Sequence, residues 1–165
     1  MPMHVTVIGI GNPYRHDDAA GLVVLAELQA RFGGDPQVTL IELDGEPVGL
    51  MQSWEGSPSV LIIDAVRSLQ PAGTIHRFGA DELSGAAAEG ISLGGGHLLG
   101  LGDSIDLART LNRLPSTLEV FGIEGDDFSL GEGLSGPVER ACGLAAQQVS
   151  DRIEELLGSR PPTAI

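Results

Sequence analysis

Only one cysteine, Cys142, stands among the 165 residues, so no internal disulfide can form and a reducing compartment is expected. It lies in a helical pattern, Glu139-Arg140-Ala141-Cys142-Gly143-Leu144, where nothing local would lower its pKa. It therefore reads as a small buried apolar residue rather than a catalytic thiol. Basic residues are also scarce: nine Lys and Arg against 23 Asp and Glu leave a formal charge of −14. Such a field repels phosphate backbones and argues against a nucleic-acid partner. Aromatic residues make up 4% of the chain, so the core must be built from Val, Ile, Leu and Ala. No apolar run approaches the roughly 20 residues that span a bilayer. The start, Met-Pro-Met-His-Val-Thr-Val-Ile-Gly-Ile-Gly, has no basic segment followed by a long apolar one and reads as an immediate strand, not a signal peptide. These absences lead to the expectation of a soluble cytoplasmic protein, monomeric, with no membrane partner.

Glycine is plentiful, at 24 residues, without any repeat period, which points to tight loops between regular elements. Apolar, β-branched runs alternate with helical spacing throughout. Strands are predicted at 4–10, 38–43, 60–64, 74–78 and 118–123, and helices at 18–32, 48–54, 102–111 and 137–157. The turn Pro71-Ala72-Gly73 follows the third strand so closely that an antiparallel fourth strand is expected. The rest of the alternation implies a largely parallel sheet covered by helices on both faces. One domain, residues 1–158, with a frayed tail at 159–165, accommodates all of it.

In such sheets ligands bind beyond the carboxyl ends of the strands, and three segments bring useful chemistry there. The first is Gly9-Ile10-Gly11-Asn12-Pro13-Tyr14-Arg15-His16-Asp17-Asp18. A strand followed by Gly-x-Gly suggests dinucleotide binding, but Tyr14 stands where the third glycine belongs and two carboxylates would repel a pyrophosphate. One of Asp17 and Asp18 suffices to cap the following helix, so the pair exceeds what capping needs, and Asp18 is a candidate for a metal or catalytic role. Asp64 ends a fully apolar strand, where an acid is costly to bury unless it is paired, hydrogen-bonded or metal-bound; its alternative task is to anchor the next loop. His97 lies in the glycine-rich stretch Leu93-Gly94-Gly95-Gly96-His97, which permits close approach to a ligand. His4 and His76 read as strand residues, and His16 as a more distant candidate. Two carboxylates and an imidazole suit zinc, nickel or a similar divalent ion with open positions. H-E-x-x-H is not present, which excludes the commonest helix-borne zinc protease arrangement, and the parts of a serine hydrolase triad do not stand in any recognisable setting.

Taken in order, these motifs resemble the nickel–iron hydrogenase maturation protease family. Those that carry the resemblance are Gly-Ile-Gly-Asn-x-x-x-x-Asp-Asp-x-x-Gly at 9–21, Leu-Asp-Gly at 43–45, Ile-Ile-Asp-Ala-Val at 62–66 and Pro-Ala-Gly-Thr-Ile at 71–75. His97 with Ile-Asp-Leu-Ala-Arg at 105–109, Gly-Ile-Glu at 122–124 and Gly-Leu-Ser at 133–135 complete the series. The resemblance implies a three-layer α/β/α fold, phosphorylase/hydrolase-like, with a mixed, mostly parallel five-stranded sheet. It implies an endopeptidase that removes a C-terminal extension from a hydrogenase large-subunit precursor once nickel is in place. Asp18, Asp64 and His97 map onto the family's metal-contacting and catalytic positions. The nickel would be supplied by the substrate, with zinc or cadmium as a surrogate in a crystal. A non-proteolytic nickel-site chaperone is the alternative that uses the same residues. The chain departs from the family in Ala19-Ala20 after the acidic pair, in Gly95-Gly96 before the histidine, and in Glu46-Pro47, where an altered substrate fit is expected.

Overall fold

The computed structural model describes residues 3–83, 92–93 and 101–158; His97 and the tail 159–165 lie outside them. Strand β1 (Val5–Ile10) enters a loop and a single 3-10 turn (His16–Ala19), then helix α1 (Ala20–Phe32). β2 (Val38–Leu43), α2 (Pro47–Ser53) and β3 (Ser59–Arg67) follow. After β4 (Ile75–Gly79) and the two-residue β5 (Ser92–Leu93) come α3 (Leu101–Thr110), β6 (Thr117–Glu124) and α4 (Gly136–Leu156). The sheet runs in the order β2-β1-β3-β6-β4. Its first four strands are parallel and β4 is antiparallel to β6. β5 pairs antiparallel with Val66 and Arg67 at the far end of β3.

Strand alternation divides the interior into two cores. Val5, Val7, Leu61, Ile63, Phe121 and Ile123 point to one face and pack on α1 and α4. Ile8, Ile10, Val60, Ile62, Leu118 and Val120 point to the other and pack on α2 and α3. Residues 60–66 of β3 are all buried, as expected of a central parallel strand covered on both sides. Trp54, the single tryptophan, fills the second core at the end of α2.

The expected three-layer arrangement forms around a five-stranded path, and the two-residue β5 adds a short sixth strand beside β3. The fourth strand is antiparallel, but its partner is β6, not β3; residues 68–74 carry the chain past the end of β6 to its far edge. The helix expected from residue 18 begins at Ala20, because the acidic pair is wound into the preceding 3-10 turn. Glu46-Pro47 is a helix start: Pro47 opens α2 and the Glu46 carboxylate accepts the N–H groups of Val48 and Gly49 at 2.9 and 2.7 Å. Cys142 is buried in the first core, and burial pushes its thiol up to about 12, so it stays an inert thiol. No helix among the described residues is long and apolar enough to cross a membrane.

The start of α1 lies directly on the sheet. A Cβ at Gly21 would overlap the carbonyl oxygen of Ile63 on β3 and stand 2.5 Å from that of Ile10 on β1. One at Gly11 would overlap the carbonyl oxygen of Asp18, and one at Gly9 would come within 2.7 Å of the Gly21 oxygen. Backbone oxygens cannot swing aside as a side chain can, so Gly21→Ala should cost at least about 3 kcal/mol in urea unfolding. Gly143 on α4 has open space around it, and Gly143→Ala should instead gain up to about 1 kcal/mol in the same assay.

Candidate functional site

The chain leaves β1 through α1 to β2 on one side, then returns past β1 to place β3 on the other. The carboxyl ends of β1 and β3 therefore flank the point where the winding reverses, the place where sheets of this kind bind ligands. Gly9↔Ile63 is the last pair between them, so Asp64 is the first residue of β3 beyond its neighbour's ladder. Its flanking residues Ile63 and Ala65 face the α1–α4 core, whereas Ile62 and Val66 face the α2–α3 core, so the Asp64 side chain points to the latter side. Asp18 arrives from the other lip, on the 3-10 turn that Gly11 and Gly21 let settle onto the strand ends.

Both acids are buried, each 1% exposed. Asp18 accepts the N–H of Asn12 at 3.1 Å, which closes the loop after β1. Asp64 accepts the N–H of Ala65 at 2.8 Å through Oδ1. Burial, and after it the charge of Asp18, hold the Asp64 carboxyl well above the usual carboxylate range, and the Ala65 N–H offsets this only in part. The third strand, expected to end at Asp64, continues to Arg67, so Asp64 lies within β3, level with the end of β1. A buried carboxyl raised by a like-charged neighbour there is a combination typical of sites that exchange protons or bind cations. Among the described residues no third ligating side chain joins the pair. His97 falls outside those residues, so the structure brings together two of the three expected site residues.

Asp17, next in sequence to Asp18, has a different task. Its carboxylate accepts N–H groups from Asp126, Asp127 and Ser135 at 2.8, 2.9 and 2.8 Å and the Ser135 hydroxyl at 2.9 Å. Burial alone would raise its pKa, but the backbone donors of Asp127, Ser135 and Asp126 and the Ser135 hydroxyl together pull it below the ordinary value. The expected cap on α1 is absent. Asp17 serves the start of α4 instead, where Ser135 is the capping residue and makes no side-chain cap of its own. His16 is likewise structural: at φ +44° its Nδ1 lies 2.9 Å from the Gly133 oxygen, and its ring occupies the space a side chain at Gly131 would need.

One group escaped the sequence reading. Glu124, at the end of β6, is 1% exposed. It accepts the Ser68 N–H at 2.8 Å and the Ser68 hydroxyl, and lies 3.1 Å from His76 Nε2. The signal was an acid ending an apolar strand, the same one that marked Asp64.

A two-core, mixed-sheet α/β protein with paired carboxylates at its switch point defines a class, and comparison with known proteins gives the family. A sequence profile described as HycI, hydrogenase maturation protease, matches residues 22–152, a stretch that includes Asp64 and His97 and begins just after Asp18. The hydrogenase 2 maturation protease of Escherichia coli is 28% identical over 156 residues, covering 93% of this chain and 92% of that protein. The structure of the hydrogenase maturating endopeptidase HybD from E. coli superposes with a TM-score of 0.79 at 26% identity, over 93% of each chain. A [NiFe] hydrogenase maturation protease HybD from Thermococcus kodakarensis gives 0.77 at 25% identity, over 92% of this chain and 100% of that one. The chain belongs to the hydrogenase maturation protease family, a family of endopeptidases.

The two acids should respond oppositely to neutralisation. Asp17, with its pKa depressed, contributes stability that is complete above the ordinary value near about 4 and is lost as pH falls through its folded value. Asp17→Asn should cost about 3 kcal/mol at pH 7, with the deficit shrinking below about pH 4. Asp64, with its pKa raised, is increasingly disfavoured in the folded state as pH climbs above about 4, up to its own folded value. Asp64→Asn should therefore stabilise the protein by on the order of 1–2 kcal/mol at pH 7. Urea unfolding at a series of pH values checks both.

Proposed function

We propose that the chain removes a C-terminal extension from the large-subunit precursor of a nickel–iron hydrogenase after nickel insertion, and that Asp18, Asp64 and His97 read the nickel the substrate carries. The observation that supports this most directly is the Asp18–Asp64 pair at the switch point. Its two carboxylates are both buried, close enough for the charge of Asp18 to act on Asp64, and Asp64 is held toward its protonated form. A divalent cation entering there relieves both burdens at once: it stabilises the charged form of Asp64 and screens it from Asp18. Carboxylate and imidazole donors fit a borderline ion such as nickel.

The substrate's nickel is already partly coordinated by the precursor, and Asp18, Asp64 and His97 complete its shell. That seats the scissile peptide against the pair only when the ion is present, so metal loading becomes a condition of cleavage. The reaction itself is a hydrolysis. A carboxylate of the pair takes a proton from water as its oxygen adds to the scissile carbonyl carbon, and a proton passes to the amine nitrogen as the C–N bond breaks. The nickel can also polarise that carbonyl. Neither carboxylate need hold a metal between turnovers, since the ion arrives with each substrate. The same scheme accounts for a costly buried acid kept within the apolar run of β3.

Incubation of a nickel-loaded precursor with the protein, read by mass spectrometry, should yield a shortened large subunit and a released C-terminal peptide. Asp18→Asn, Asp64→Asn and His97→Ala should each slow the cleavage by at least about 100-fold. Wild-type rates in any of the three would remove that residue from the site, and an uncut precursor with the wild-type chain would contradict the function.

A further inference from the structure

Three large apolar side chains stand in solvent on the loops around the Asp18–Asp64 pair: Leu69 is 96% exposed, Leu130 82% and Tyr14 62%. They come from the loops after β3, β6 and β1, which are tied to one another. Gly131 donates its N–H to the Tyr14 oxygen and accepts that of His16, both at 2.9 Å. Arg15 Nε donates to the Phe128 oxygen at 3.1 Å. The Arg67 guanidinium lies 4.3 Å over the Phe128 ring and so links the same loop to the end of β3. The exposed apolar residues thus stand on three loops braced against one another, with Arg15, Arg67 and the exposed Asp126 and Glu132 in the same segments.

Leu69 is the residue that stability alone does not explain. Its φ of +66° is left-handed, a conformation that costs a non-glycine side chain about 1 kcal/mol or more. Its side chain belongs to neither core. Yet the preceding residue is firmly held, because Ser68 gives both its N–H and its hydroxyl to the buried Glu124, which His76 also contacts. A glycine or asparagine at position 69 would sit in this turn with less strain. A buried carboxylate network therefore keeps an apolar side chain projecting into water five residues beyond Asp64 on the same chain segment.

We propose that Leu69, Leu130 and Tyr14 form a docking face for the folded body of the substrate protein, each entering an apolar pocket on it while the substrate's C-terminal segment reaches Asp64. The shape selects this occupant: projecting side chains fit preformed pockets in a folded surface, whereas an extended tail needs a groove to lie in. Tyr14, Arg15 and Arg67 are of the residue types that protein interfaces concentrate. The docking face rests on the endopeptidase function proposed above, and it separates recognition of the protein from reading of the metal.

The test uses the full-length nickel-loaded precursor and compares the wild-type chain with Leu69→Gly and with the double variant Leu69→Ser, Leu130→Ser. The double variant should raise KM by about tenfold with kcat within about twofold, and Leu69→Gly should raise KM while leaving the melting temperature unchanged or higher, because the strain is released. Unchanged KM in both variants, with the wild-type chain cutting normally, overturns the docking face and leaves the peptidase function standing. No cutting by the wild-type chain overturns the function itself. If size exclusion finds a wild-type dimer that the double variant splits into monomers, the face belongs to a second copy of this chain and the proposal falls.

Discussion

Everything at the carboxyl edge of the sheet depends on one backbone-to-backbone contact, the seating of the start of α1 on the ends of β1 and β3. Gly21 lies against the carbonyl oxygens of Ile10 and Ile63, and Gly11 against that of Asp18. With side chains at these positions the helix would have to lift from the strands, and Asp18 would lift with it. The contact carries no polar chemistry of its own. Its effect is geometric: it brings Asp18, on the 3-10 turn, near enough to Asp64, on β3, for the two charges to interact at the point where the winding of the chain reverses.

Three of the four buried acids among the described residues show how environment assigns roles to one kind of side chain. Asp17 is saturated with hydrogen-bond donors and is committed to its charged form, so it works as a brace between the loop after β1 and the start of α4. Asp64 has one described donor, complete burial and a like-charged neighbour, which leaves it the acid most in need of a cation or a proton. Glu124, bound by Ser68 and His76, fixes the turn that displays Leu69. Bracing, chemistry and display are thus allotted by the donors each carboxylate finds, not by residue type.

Much of this was legible in the sequence. The strand at residues 38–43 was placed to the residue, and the alternation of apolar runs gave the layers, because strand and helix periods are local properties. Asp64 was legible because an acid ending an apolar run is costly wherever the chain goes. What stayed hidden was set by distant partners. Nothing near Asp17 reveals that its donors stand up to 118 residues away, so the adjacent aspartates could be told apart only by number, as one cap too many. The partner of β4 depends on how the chain passes β6, which no local pattern records, and the two residues of β5 are too few to show a period. His97 was read from its glycine-rich setting and lies outside the described residues.

The central claim is that the Asp18–Asp64 pair reads a metal brought by the substrate. Its most direct measurement is the affinity of the protein for nickel-loaded and for nickel-free precursor, compared in the wild-type chain and in Asp64→Asn. Tighter binding of the loaded precursor by the wild-type chain, with that preference lost in the variant, is the result this account predicts. Equal affinity for the two precursors in the wild-type chain would contradict it.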